Sequence, residues 1–234
     1  MPTKFETINP YENLAATVSL GLADITTHIT VPYDLEDLSS DTKSYVETAM
    51  GITPSNAESL ELKSLIAFAA NDYNTNHLEG YSPAQRAFIG ELLNSIFNVG
   101  SDTDAMVICI SQLEEGISLM NLTLEEQRPL LMGTAIGRAV IAFWATEIAN
   151  PTSPWITNSY ISGNLAIDTA NIPYWTAAAM HGSFTGANKA RVQSGIYDPS
   201  NQGSTPNIIS VLMTSIGVGA GRVLYKWVPL SRRR

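Results

Sequence analysis

Ala178, Gly182, Gly186 and Ala190 recur at intervals of four residues inside an otherwise apolar stretch. At 3.6 residues per turn that spacing lines them along one face of a helix. A second stretch repeats the device: Gly217 and Gly221 share a face with Met213, and Ser215 and Gly219 lie nearby. Glycine inside a helix costs roughly 1 kcal/mol against alanine, so something outside each helix has to offset the loss. Close approach to another helix does so, because only small residues let two backbones touch. The pattern predicts a hairpin of two helices, over about 172–190 and 207–227, packed tightly on a neighbour. That neighbour is the other arm of the hairpin, a second copy of the chain, or a partner met in a bilayer. Against the last, His181, Asn188, Lys189 and Arg191 interrupt the first segment. Only 14 residues separate Asn207 from Arg222, short of the roughly 20 that span a bilayer. In its favour, Tyr174, Trp175, Tyr225 and Trp227 stand at segment ends, as in an interfacial aromatic belt.

The rest of the chain is punctuated for helices. Asn9-Pro10 offers an N-cap with proline at the first helical position, and Leu14, Val18, Leu22, Ile25 and Ile29 follow at helical spacing to residue 29. Val31-Pro32-Tyr33 breaks that run. The acidic stretch Asp34 to Asp41 reads as a loop leading into a short helix that ends at Gly51. Thr53-Pro54 opens another helix to about Asn74. Ser82-Pro83-Ala84-Gln85 is a capping box with proline at the first position, for a helix ending before Gly100. Asp102 caps a helix over 103–120. Thr123-Leu-Glu-Glu126 is a second capping box, with Pro129 kinking that helix or marking its true start before it runs to Ile148. Residues 150–165 read as a loop, in which Ile156-Thr157 and Tyr160-Ile161 are the only candidates for local strand pairing. The expected fold is all-α: a body of about six helices over 1–149, a loop over 150–171, and a Gly/Ala-rich hairpin with a basic tail over 172–234, packed on the body as one domain.

Charge decides which partners fit. Charged residues make up only 15% of the chain and hydrophobic ones 44%, against a usual charged share of about 25%. Such a surface suits burial under another subunit, so a homo-oligomer is expected. Net charge is −9, but residues 222–234 hold Arg222, Lys226, Arg232, Arg233 and Arg234 and no acid, leaving −14 on the remainder. An acidic body repels phosphate backbones, so no nucleic acid is expected as a partner. The basic tail suits an acidic protein surface or anionic lipid, and membrane contact stays open.

No motif for catalysis, cofactor or metal is expected to operate. His28, His77 and His181 are the three histidines, no two of them at metal-ligand spacing. Gly217-Val-Gly-Ala-Gly221 lacks the Gly-x-Gly-x-x-Gly spacing of a nucleotide loop, because position 222 is arginine. Asp102-Thr-Asp104 starts like a calcium loop but lacks the further ligands, and reads as a helix cap. Glu114-Glu115 and Glu125-Glu126 diverge by about 100° on a helix and read as solvated faces. Were the chain an enzyme, His181, flanked by aromatics in a small-residue helix, would be its best candidate. Cys109, alone in an apolar run, reads as a buried inert thiol. Met1-Pro2-Thr3-Lys4 leads into no apolar signal-peptide core.

Asn9-Pro-Tyr-Glu-Asn-Leu-Ala15, then Gly21-Leu22 and Ile25, resembles the opening of an uncharacterised exported protein family of the Bacteroidota. So do Ile110-Ser-Gln-Leu-Glu114, Leu122-Thr-Leu-Glu-Glu126, Leu130-Leu-Met-Gly-Thr-Ala-Ile136, Ala142-Phe-Trp144 and the Gly/Ala-rich C-terminal segments. Where that family has His-Asn before its Gly-Leu, this chain has Val18-Ser19. The resemblance implies an exported or envelope location and no particular activity. The expectation is a non-catalytic, self-associating structural or interaction subunit joined through small-residue helices. The alternatives are a membrane-active, toxin-like protein that inserts its hairpin, and an enzyme of unknown type.

Overall fold

The computed structural model describes residues 9–29, 33–51, 78, 80–157, 169–193 and 205–225, with side chains in the last two segments described for 169–188 and 208–224. Every regular element among them is helical, as expected. The helices are α1 (Glu12–His28), α2 (Leu35–Met50), α3 (Pro83–Val99), α4 (Thr103–Ile117), α5 (Leu124–Ala149), the single turn α6 (Pro154–Thr157), α7 (Ile172–Gln193) and α8 (Thr205–Tyr225). A 3-10 turn, Thr169–Asn171, leads into α7. The helix expected over 53–74 lies outside the described residues.

The caps set most of the boundaries. Ser82 and Gln85 form the reciprocal box that opens α3, Thr123 and Glu126 the one that opens α5, and Asp102 accepts from the Ala105 amide at 2.9 Å. Gly51 ends α2 in the left-handed region at φ 65°, which glycine alone enters without steric cost. Pro129 sits buried inside α5, and the helix starts at its Thr123 cap rather than at the proline.

Four boundaries differ from expectation. α2 starts at Leu35 rather than after Asp41: Asp34 accepts from the amides of Glu36 and Asp37, and Asp37 bonds back to the Asp34 amide. The acidic stretch is thus the first turn of a helix, where negative charge meets the positive end of the helix dipole. α1 starts at Glu12 rather than Pro10: Asn9 Oδ1 accepts from the Tyr11 amide at 2.9 Å, and residues 10–11 form a turn ahead of the helix. α4 ends at Ile117 rather than 120. Pro154–Thr157 is a helical turn rather than loop or strand, its start held by a hydrogen bond from the Trp155 amide to Ser153 Oγ.

Among the described residues α7 and α8 pack on each other more extensively than any other pair, and α1, α2, α3 and α5 sheathe them. α5 and α3 lie on α7; α1 and α2 lie on α8; α1 also crosses α5, and α4 packs against α5 and α3. The sheath is close. Trp175 through Asn188 of α7 and Ile209 through Gly221 of α8 are buried without interruption. A helix apolar on one face buries one face; a helix buried on every face belongs at the centre of a domain. Glycines on the sheath help it close. A side chain at Gly137 of α5 would lie 2.7 Å from Met180 Sδ, and one at Gly133 would collide with the Phe184 ring. At one end Trp155 meets Trp144 edge to face and Trp175 meets it at a tilt, with centroids 5.2 Å and 4.7 Å from Trp144. Each such burial contributes roughly 1.5–3 kcal/mol.

Candidate functional site: the sheathed hairpin and its polar clasp

The α7–α8 seam is where the small residues meet. A side chain at Gly182 would run into the Thr214 carbonyl, with Ser215 Cα 3.0 Å away; one at Gly186 would lie 2.7 Å from the Ser210 carbonyl oxygen. Backbone stands in the way at both positions, joined at Gly186 by the Thr214 hydroxyl. On α8 Gly219 also approaches α7, because a Cβ there would lie 3.1 Å from Ala179 Cβ; spacing places it beside the face through Met213, Gly217 and Gly221 rather than on it. Those three are buried, as is Ala178. The Ala190 side chain and the tail residues Lys226, Arg232, Arg233 and Arg234 lie outside what the structure describes. Arg222 is half-buried at the end of α8.

A hydroxyl ties the seam. Thr214 Oγ1 donates to the Gly182 carbonyl across the helices at 2.6 Å and lies 2.7 Å from the Ser210 carbonyl of its own helix. Glycine permits the close approach, and the threonine hydroxyl adds an interhelical bond to a carbonyl inside α7. The same combination joins helices in membranes, where no hydrophobic effect assists. His181, on α7, is 3% exposed and so lies beyond the reach of a substrate while the sheath is closed. Among the described residues no three His, Cys, Asp or Glu side chains gather as a metal set would. Half-buried Asp24 lies 3.7 Å from His28 one turn along α1.

A second cluster binds the sheath together. Asn9 Nδ2 donates to Glu114 Oε2 at 2.7 Å and to the Leu131 carbonyl at 2.9 Å. Its Oδ1 accepts from the Tyr11 amide. Glu114 Oε2 also accepts from Thr134 Oγ1 and, at 2.7 Å, from Arg138 NH1, while Arg138 NH2 donates to Glu12. The start of α1, the end of α4 and the middle of α5 therefore meet on one carboxylate. Burial alone would lower the Arg138 pKa, but the hydrogen bonds and charges of Glu114 and Glu12 outweigh it and raise the value. Glu114, at 15% side-chain exposure, is thus no solvated residue; the expectation holds for Glu115, which is exposed. The Glu125–Glu126 pair is also employed: Glu126 caps α5, and Glu125 pairs with Arg128 at 3.0 Å.

Sequence reasoning missed this clasp, although one signal was present. Arg138 is the single charge between Leu130 and Trp144, and a guanidinium in such a helix demands a carboxylate. Asn9, Glu114 and Thr134 come from three of the segments that carry the resemblance. Val18, where the family pattern has histidine, is core, and Ser19 donates to the Ala139 carbonyl at 3.1 Å, a further tie between α1 and α5. Compared with protein-family models, with curated proteins and with solved structures, the chain matches none.

Proposed function

We propose that the chain is a non-catalytic structural or interaction subunit that assembles with further copies of itself through its small-residue hairpin. The observation that carries this reading is the α7–α8 joint, two glycines on backbone carbonyls and a threonine-to-carbonyl hydrogen bond. Such a joint is indifferent to which molecule supplies each arm. In a single chain it is closed internally, so copies join by exchanging an arm, the low-cost route to an oligomer when identical elements trade places. The low charge content supports the reading, since it leaves much of the surface suited to burial. Light scattering of the full chain tests it: a mass that is a multiple of one chain supports the assembly, and a strict monomer at high concentration overturns it.

A second reading is favoured by a different observation, the way charge divides between hairpin and sheath. From residue 169 onward the chain has seven basic residues and one acid; before it, six basic residues and 21 acids. A basic hairpin apolar enough to be buried on all sides, inside an acidic cover, suits a protein that inserts into anionic bilayers once the cover opens. Hydropathy gives it modest support. Among the described residues α5 is the one helix long and apolar enough to cross a membrane, with 61% of the span buried in the domain, and the apolar run of α8 is the shorter Ile208–Leu224. Leakage of dye from vesicles rich in phosphatidylserine supports insertion, and no leakage at any pH or lipid charge discards it.

A further inference from the structure

α1 lies across the hairpin like a strap. Its Gly21 sits against the Ile216 side chain of α8, the Cγ1 being 3.0 Å from where a Cβ would be, and Leu22 reaches Gly219 at 3.8 Å in the same sense. The strap is fastened at intervals. Tyr45 of α2 donates to the Thr17 carbonyl at 2.9 Å, and Trp155 Nε1 donates to Thr26 Oγ1 at 2.7 Å. These ties are between neutral groups. The N-terminal fastening is different in kind, because it depends on charge and on one carboxylate: Glu114 accepts from Asn9, Thr134 and Arg138 together.

We infer that this clasp is a charge-operated latch: neutralising Glu114 frees α1 from its N-terminal end and uncovers α8 around Ile216 and Gly219. Ionised, the carboxylate holds three donors on one oxygen by charge-assisted bonds; neutralised, even with the proton on its other oxygen, it weakens all three and no longer balances the Arg138 guanidinium. The cationic neighbour is Arg138, which keeps Glu12 as its other partner. Glu12 and Tyr11 are the titratable groups at this end of α1, and Glu125 and Arg128 act on Tyr11 from α5. Glu115, next along α4, is exposed. Protonation of Glu114 is therefore the simplest release signal. The inference concerns the sheath alone and stands whether the uncovered hairpin meets another copy or a lipid surface.

Hydrogen exchange on the full chain reads the latch helix by helix. At neutral pH, Glu114→Gln is expected to speed exchange over 12–20 and 215–219 by about tenfold or more while α3 keeps its wild-type rate. Wild-type protein, corrected for the intrinsic pH dependence of exchange, is expected to acquire the same local pattern on acidification, and Glu115→Gln to show none of it at neutral pH. Unchanged protection of α1 in Glu114→Gln overturns the inference. So does an acceleration shared equally by α3, which would mean a weaker fold rather than an opened strap. Should Glu114→Gln fail to fold, Glu12→Gln removes the other partner of Arg138 from a half-exposed position: faster exchange confined to α1 and α8 supports the latch, and unchanged rates contradict it.

Discussion

The Thr214 hydroxyl stands 2.6 Å from the Gly182 carbonyl oxygen, on the neighbouring helix of the hairpin. That single bond fixes how near α7 and α8 run, and the glycines follow from it. At Gly182 and Gly186 an added methyl would meet backbone, which cannot rotate aside. Gly182→Ala and Gly186→Ala are each expected to destabilise the fold by about 1–3 kcal/mol through overpacking. Gly90, inside α3, provides the opposite case, because a methyl added there would have nothing within 4 Å. Gly90→Ala is expected to stabilise by about 0.5–1 kcal/mol. Urea midpoints at constant m-value separate the two. Thr214→Val keeps the shape and loses the bond, and is expected to cost about 1 kcal/mol.

Arg138 makes the clasp a test of buried charge. Arg138→Ala leaves Glu114 facing Asn9 and Thr134 without a cation, and the expected loss is about 3 kcal/mol. Glu115→Gln, one residue along and exposed, is expected to stay within about 0.5 kcal/mol of wild type. Equal effects from the two variants in the same denaturation assay would contradict the geometry.

Alkaline stability follows from Tyr33, whose hydroxyl donates to Asp41 Oδ2 at 2.7 Å. Burial first, then that hydrogen bond and the charges of Asp41, Asp37 and Asp24 hold its pKa far above the ordinary phenol value. Tyr11 and Tyr45 are raised as well, again mainly by burial. The folded protein keeps these protons more tightly than the unfolded chain. Their stabilising effect is complete below pH of about 10 and is lost as pH rises above it. Tyr33→Phe is expected to lose about 1 kcal/mol near neutrality and to show a shallower fall of melting temperature on the alkaline side. An alkaline limb identical to wild type would remove Tyr33 as its source.

Much of the fold was legible because caps are local. Ser82–Gln85, Thr123–Glu126, Asp102 and Gly51 act within one turn of themselves, so their residue types announce the helix ends directly. Asp34 was legible in principle, but a run of acids reads equally as loop and as a helix's first turn until the side chains are seen folding back on the amides. The clasp was not legible for a different reason. Asn9, Glu114 and Arg138 lie more than a hundred residues apart at the extremes, and only the crossing of α1, α4 and α5 brings them together. The small-residue stripe was plain in sequence, yet which glycine of α8 meets α7 depends on helix rotation. With Ile216 turned onto Gly21 of α1, Gly219, which spacing leaves beside the stripe, comes close to Ala179 of α7.

The most direct test of the proposed assembly is the mass of the full chain by light scattering across a wide concentration range. The account predicts a species whose mass is a whole multiple of one chain and whose population grows with concentration. A single-chain mass at every concentration would contradict it and leave the hairpin as an internal core.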